Sequence, residues 1–340
     1  MQSVLMYSLS VMVVFCLSFL GTYYYKKLAI KKNIVANPNF RTLHQKPMPC
    51  GGGIVFALVF LIAAICFYFF SLDIDSRFFL ALVVGGFVAT CFGFIDDVIH
   101  INAPIKFAIQ GCLAAWGLFC FDGGQFVGMG FLPTWLELVV SWFCFVGLMN
   151  AYNFIDGIDG LASSGAVSIC ALLAVSIYMT NGSLSLLILC CILGVSCFGF
   201  LVFNWPPASI FMGDSGSIFL GYCFGILILK STMSGEVPFL NWLILFGYFA
   251  GDTIITNLVR MLTVKKWYGA HRSHAYQNLA RIYGSHFWVT FGILMYHFVW
   301  LLPLIILVSL YPSLAIIAAG LALFPSMLLA LKFGPLLSSD

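Results

Sequence analysis

The sequence predicts an all-α, polytopic integral membrane protein with about eleven transmembrane helices, and three observations carry that prediction. Of the 340 residues, 62% are hydrophobic and only 8% charged, and the mean hydropathy is +1.06; a soluble domain carries about 25% charge. The apolar residues come in repeated runs near the ~20 needed to cross a bilayer. The basic residues are segregated among the connecting loops as the positive-inside rule requires. A net charge of only +3, with Lys and Arg scattered rather than lining one stripe, excludes a nucleic-acid binder.

In chain order the runs cover approximately 3–25, 54–72, 78–95, 106–121, 134–151, 165–180, 184–203, 216–232, 238–260, 286–309 and 312–331. The first has no base before it and Lys26, Lys27, Lys31 and Lys32 after it. A cleavable signal has the reverse order, so a retained span with its N-terminus outside is expected. Placing the next loop in the cytoplasm and alternating leaves 13 of the 15 basic residues inside, with only Arg77 and Lys230 outside. The last two runs are parted by Tyr311 and Pro312 alone and read either as two spans or as a re-entrant hairpin. Eleven of the twelve cysteines lie within apolar runs as small hydrophobes, and no CxxC occurs to suggest zinc or redox chemistry. The chain 1–340 therefore reads as a single membrane domain, with candidate loops at about 40–53, 94–106, 150–164, 204–217 and 260–285 on the cytoplasmic face.

On that face the spans and loops carry Asp96, Asp97, Asp156, Asp159 and Asp214. Carboxylates gathered this way raise each other's pKa unless a cation sits among them, and Mg2+ suits one or two carboxylates plus substrate phosphates. One interfacial Asp is adequately explained as a helix cap; five gathered on one face from separate segments are not. In GFIDDVIHINAPIK, the Asp96–Asp97 pair follows span three and Lys106 opens span four. In NAYNFIDGIDGLA, Asn150, Asn153, Asp156 and Asp159 recur every third residue, which on a helical turn places neighbours about 5–6 Å apart. FNWPPASIFMGDSGS sets Asp214 between glycines before span eight, whose first N–H groups suit an anion. KKWYGAHRSHAYQ offers His271, Arg272 and His274 as diphosphate donors, with Lys265 and Lys266 read as topology signals. RTLHQKPMPCGGG adds His44 and Lys46 beside a glycine triplet suited to either close helix packing or phosphate approach.

The order HxKPxPxGGG, GFIDD, NAxNFxDGxDGLA, PAxIFMGDxGS and a His-containing loop resembles the polyprenyl-phosphate N-acetylhexosamine-1-phosphate transferases of glycosyltransferase family 4, from about Arg41 to Arg281. The resemblance implies a bacterial inner-membrane enzyme. It would move a sugar-1-phosphate from a UDP-N-acetyl sugar to undecaprenyl phosphate and release UMP, with Mg2+ (or Mn2+) as cofactor. It further implies catalytic roles for Asp96, Asp97, Asp156 and Asp159, and substrate contacts from Asn153, His271, Arg272, His274, Lys106, His44 and Lys46. Asp214 is implied as a metal ligand, with Asp97 and Asn153 beside it. The expected partners are thus the two substrates and the bilayer, with a homodimer as the one protein assembly considered. The last motif reads HRSHAYQ where the peptidoglycan branch has three histidines, which is similar to the O-antigen-initiating branch. UDP-GlcNAc, UDP-FucNAc and UDP-QuiNAc stay open as donors, and a lipid I-type transferase is the alternative.

Two other classes share part of this pattern. A transporter also carries intramembrane charge and broken helices, but its acids should reach the midplane and its halves should echo each other. A CDP-alcohol phosphotransferase is implied by DxxDGxxAR, yet Leu161, Ala162 and Ser163 follow Asp159–Gly160.

Overall fold

The structure is a computed structural model that describes residues 2–36, 47–70, 74–124, 133–263 and 272–335. Helix α1 (Gln2–Lys31) leads into a two-residue antiparallel pair, β1 (Val35–Ala36) with β2 (Met48–Pro49). Helix α2 (Gly53–Phe70) follows, and α3 (Ser76–Leu80) then runs through a π-helical turn into α4 (Gly86–Ile99). Next come α5 (Ala103–Cys120), α6 (Thr134–Ile155), α7 (Leu161–Met179), α8 (Leu184–Asn204) and α9 (Asp214–Met233). The chain closes with α10 (Phe239–Leu245), α11 (Gly247–Thr263), the short α12 (Ala275–Tyr283), α13 (His286–Met295), α14 (Leu302–Leu310) and α15 (Ala315–Phe333).

Each of the eleven apolar runs is helical, so the protein is an all-α, multi-pass membrane protein. Among the described residues, nine helices are long and apolar enough to cross a membrane. The remaining two runs differ from simple spans. The second forms α2, a shorter apolar helix, and the ninth is bent by 87° between α10 and α11, which would bring the number of spans to ten. The bend falls at Gly247, where a Cβ would stand 2.9 Å from the Ala322 carbonyl oxygen of α15. The last two runs form helical stretches of 25 and 22 residues, each long and apolar enough to cross a membrane.

The core sits around α9, whose apolar window is 83% buried against 17% for α1. Gly221 of α9 lets Met149 of α6 approach so closely that a Cβ would lie 2.6 Å from its Cα; small residues give membrane helices this contact where no aqueous hydrophobic effect drives them together. Large apolar side chains such as Ile62, Phe119, Leu262 and Ile316 face outward, as a lipid-facing surface requires. Near the start of α9, backbone bonds from Phe211 N–H to Pro49 O (2.8 Å), Gly52 N–H to Phe211 O (3.0 Å) and Gly53 N–H to Met212 O (2.9 Å) tie the entry of α2 to the 211–213 segment.

Candidate active site

One end of the bundle gathers the C-termini of α4 and α6 with the N-termini of α2, α5 and α9. Gly213 precedes α9 at φ +75°, a conformation glycine adopts without Cβ strain. A Cβ there would lie 2.5 Å from both Asp97 carboxylate oxygens. Asp97 Oδ1 accepts the Asp214 N–H (2.7 Å) and its Oδ2 the Ser215 N–H (3.1 Å). The first orphan donors of α9 are thus met by a carboxylate from α4, where the helix dipole favours negative charge. The anion expected at this N-terminus is the protein's own Asp97, and no side chain of the cap residue is used there.

Beside it, Lys106 Nζ bridges two acids. It donates to Asp214 Oδ2 at 2.9 Å and pairs with Asp96 Oδ2. Asp96 is 3% exposed, and its other oxygen accepts the Ile101 N–H at 2.6 Å, fixing the turn that carries Lys106 back. Asn153 Nδ2 donates to Asp214 Oδ1 (2.7 Å) and Ser217 Oγ (2.9 Å). Asp156 caps the end of α6 and accepts from the Gly213 backbone; burial first, then the charges of Asp214 and Asp97, push its carboxyl well above the usual range. Asp96, Asp97, Lys106, Asn153, Asp156 and Asp214 therefore form one constellation, as the motifs predict.

The rest of the predicted set is placed differently. Asp159 stands at the margin: its Oδ2 accepts the Ala208 N–H (3.0 Å) and its Oδ1 lies 3.2 Å from His286 Nδ1. Asn150, which shares the threefold spacing, donates instead to Gln110 Oε1 and the Val146 carbonyl, a packing role between α5 and α6. His274, expected as an open diphosphate donor, is 2% exposed; its Nδ1 meets Asp252 Oδ2 at 2.8 Å. That pair ties α12 to α11, while Tyr276 of the same turn donates to the Phe154 carbonyl. Arg272 is half-buried, and its carbonyl accepts from Arg281. His44, Lys46 and His271 lie outside the described residues. Gly52 and Gly53 serve close packing: a Cβ on Gly53 would stand 2.3 Å from the Gly216 backbone.

Sequence reasoning missed two residues. Buried Asn204 at the end of α8 donates to the Ile210 carbonyl and accepts from Ser163 Oγ, shaping the turn before Asp214. His286, at the start of an apolar run, grips Asp159. An Asn closing a span ahead of Trp-Pro-Pro was the available signal for the first; the second carried none.

The oxygen-rich set fits a hard divalent cation only in part. Among the described residues, no group of three or more His, Cys, Asp or Glu side chains is arranged as a ligand cage. Mg2+ does not require one, since it is held by one or two carboxylates plus phosphates, and Asp214 and Asp156 supply that number. Asp97 already receives two backbone N–H groups, and a metal role for Asn153 falls to its carbonyl oxygen, because its amide N–H groups are given to Asp214 and Ser217.

Comparison with known proteins places the chain in a family. Residues 79–232 match the model of glycosyl transferase family 4. The chain is 31% identical over 291 residues to a probable undecaprenyl-phosphate N-acetylglucosaminyl 1-phosphate transferase of Bacillus subtilis, covering 84% of this chain and 80% of that protein. It is 29% identical over 280 residues to an undecaprenyl-phosphate alpha-N-acetylglucosaminyl 1-phosphate transferase of Thermotoga maritima, covering 82% and 83%. A phospho-N-acetylmuramoyl-pentapeptide-transferase of Chlamydia trachomatis is 33% identical over 207 residues, covering 53% and 60%. With the acid constellation assembled inside the matched segment, the chain belongs to the polyprenyl-phosphate N-acetylhexosamine-1-phosphate transferase family.

Proposed function

We propose that this protein transfers an N-acetylhexosamine-1-phosphate from a UDP-sugar to undecaprenyl phosphate, yielding undecaprenyl-diphosphate-sugar and UMP, at the cytoplasmic face of a bacterial inner membrane. The observation that carries the reading is the constellation of Asp96, Asp97, Asn153, Asp156 and Asp214 around Lys106; an apolar groove elsewhere along α6 offers a place for a prenyl chain. The groove, about 310 Å³, runs between α6 and the bent α10–α11 pair; Cys144, Leu148 and Ile155 line one wall and Trp242, Phe246 and Phe249 the other. Ile155 of the groove wall is followed directly in the chain by Asp156, and in this reading the groove takes the prenyl chain of the acceptor.

The chemistry follows from the substrates. A phosphate monoester with a second pKa near 6 is mostly dianionic at neutral pH, so the acceptor needs little general-base help. An acceptor oxygen attacks the donor's β-phosphorus, a new P–O bond forms, and the β-phosphorus–oxygen bond to UMP breaks. Two anionic phosphates must be brought together beside carboxylates, so charge neutralisation and alignment are the main demands. Lys106 contributes one cation, held by Asp96 and Asp214. A Mg2+ at Asp214 and Asp156 would supply further neutralisation and Lewis-acid polarisation of a phosphoryl oxygen. Asp97 and Asn153 hold Asp214 in place through the α9 backbone and the carboxylate itself. The HRSHAYQ form of the last motif favours initiation of O-antigen synthesis over a lipid I-type role.

The test is transfer of label from a panel of UDP-N-acetyl sugars into butanol-extractable lipid, with purified protein, undecaprenyl phosphate and Mg2+. Lipid product with stoichiometric UMP, lost on chelation, is the expected outcome. Folded protein giving no product with any donor would overturn the reading and return the transporter class.

A further inference from the structure

The contact between Asp159 and His286 joins two parts of the chain 127 residues apart, and only the first lies within the segment matching the family model. It is more than one bond. His286 Nδ1 lies 3.2 Å from Asp159 Oδ1 and 3.3 Å from the Asp159 backbone nitrogen. Thr290, one turn further along α13, donates its hydroxyl to the Asp159 carbonyl at 2.9 Å. Asp159 Oδ2 in turn accepts the Ala208 N–H at 3.0 Å. Residue 159 is thus gripped at its nitrogen, its carbonyl and one carboxylate oxygen by the first turn of α13, and through the other oxygen it holds the turn that leads to Asp214. Either imidazole state serves: a bare Nδ1 accepts the backbone N–H, and a protonated one donates to the carboxylate.

The same residues wall a cavity. A space of about 510 Å³ is lined by Asp159, Pro206, Pro207, Ser285, His286 and Phe287, with Gly284 at its edge. Its shape is set by how far the start of α13 stands from the Pro206–Pro207 turn, and the grip on Asp159 fixes that separation.

We propose that His286 is a positioning residue for the donor nucleotide-sugar, acting through Asp159 to hold the 156–160 and 206–208 turns in register beside this cavity. The inference rests on the reading of the protein as a UDP-sugar transferase. His286 touches no reacting atom; losing it loosens the binding surface and leaves the Asp97–Lys106–Asp214 arrangement as it was. Its signature is therefore weaker donor binding at nearly unchanged turnover, as expected when an interaction common to ground and transition states is removed.

The experiment measures UDP affinity by titration calorimetry on the full-length protein in detergent, with KM and kcat for transfer followed in parallel. His286→Ala should weaken UDP binding and raise the donor KM about tenfold while kcat stays within about threefold. His286→Asn offers a donor and an acceptor near the Nδ1 position and should restore most of the affinity. Thr290→Val gives a second, milder loss of about threefold. Melting curves of each variant establish that it is folded; should His286→Ala fail to fold, the asparagine and valine variants carry the test. Parent-like UDP affinity in both His286→Ala and Thr290→Val overturns the proposal, as does a fall in kcat alone, or an asparagine variant no better than alanine. Parent protein that binds UDP in a His286-dependent way yet transfers no sugar phosphate would sink the transferase reading and reduce this inference to a nucleotide-positioning role for His286. Parent protein that binds no UDP would sink both.

Discussion

The two ends of the helical bundle use the same residue types for different ends. At the end away from the candidate site, Asp75 accepts the Phe78 N–H at 2.9 Å and caps α3. Arg77 pairs with Asp122, with side chains 62% and 76% exposed. Glu236 accepts the Ser183 N–H (2.6 Å), the Ser183 hydroxyl (2.8 Å) and the Ser234 hydroxyl (2.9 Å). Burial works to raise the Glu236 carboxyl, but those bonds and Lys230 outweigh it and hold the group below its ordinary range. Such a carboxylate is content in its charged form and closes a loop. At the site end the charged groups reach across the fold, Asp97 to the backbone of residue 214 and Lys106 to Asp214, and Asp156 is pushed upward by burial and like charge. Groups kept ionisable against their environment mark functional sites more often than structural ones. The difference lies in what surrounds each acid: donors and a nearby Lys that outweigh burial at Glu236, further carboxylates that add to it at Asp156.

The largest effect that sharpens this contrast is expected at Asp97 and Asp214. Asp97→Asn turns its amide NH2 toward one of the two backbone donors of α9, and Asp214→Asn removes the charge that holds Lys106 and Asn153. Each should lower kcat by a factor of about 10² to 10³, the scale of losing one preorganised electrostatic group, while the protein still inserts. The matched change Glu236→Gln should leave kcat within about twofold. UMP release at saturating Mg2+ measures all three, and equal effects at both ends would erase the contrast.

Next in size is Lys106→Met. It strands Asp96, which is 3% exposed, without its cation. Removing one partner of a buried pair costs about 3–5 kcal/mol, and the partial exposure of Lys106 (32%) places this case at the low end. Chemical denaturation in detergent should show the loss, and adding Asp96→Asn should recover most of it. Strict additivity of the two changes would mean that the pair contributes no coupling.

A finer contrast comes from two glycines. Gly213 and Gly235 share a positive φ, +75° and +73°, but a Cβ on Gly213 would meet the Asp97 carboxylate at 2.5 Å and one on Gly235 would meet nothing within 4 Å. Both alanine variants carry positive-φ strain, of about 1–3 kcal/mol, and at Gly213 the ψ of 177° lies in a region essentially confined to glycine. Only Gly213→Ala should also depress kcat, by at least about tenfold, because it displaces Asp97. Thermal melting and turnover together separate strain from displacement.

Much of this was legible in the sequence, and the reason is physical. Long apolar runs leave the bilayer few alternatives to helices, so the spans emerge from composition alone. The exceptions, α2 and the α10–α11 bend, depend on helix packing such as that at Gly247 against Ala322, which no local pattern encodes. Within the site, motif spacing identified Asp96, Asp97, Asn153, Asp156 and Asp214. It could not say that Asp97 caps α9, since that bond spans 117 residues. It likewise misjudged His274: a polar loop reads as exposed, and only the fold shows Asp252 of α11 waiting for the imidazole. His286 was invisible because its partner, Asp159, lies in a motif with an apparent role of its own.

The smallest expected effect is Arg77→Ala. An exposed ion pair contributes about 0–1 kcal/mol, because water screens the attraction and two long side chains must be ordered to make it. The Arg77–Asp122 contact joins α3 to the end of α5 at the periphery, far along both helices from Asp96, Asp97 and Lys106. Its removal should leave kcat and donor KM unchanged and shift the melting temperature by no more than about 2 °C, less still at high salt. A measurable change in turnover would mean that the tilt of α4 and α5 is communicated along their length to the Asp96–Lys106 pair. The two ends of the bundle would then be one coupled unit, and the division of labour between their carboxylates would have to be given up.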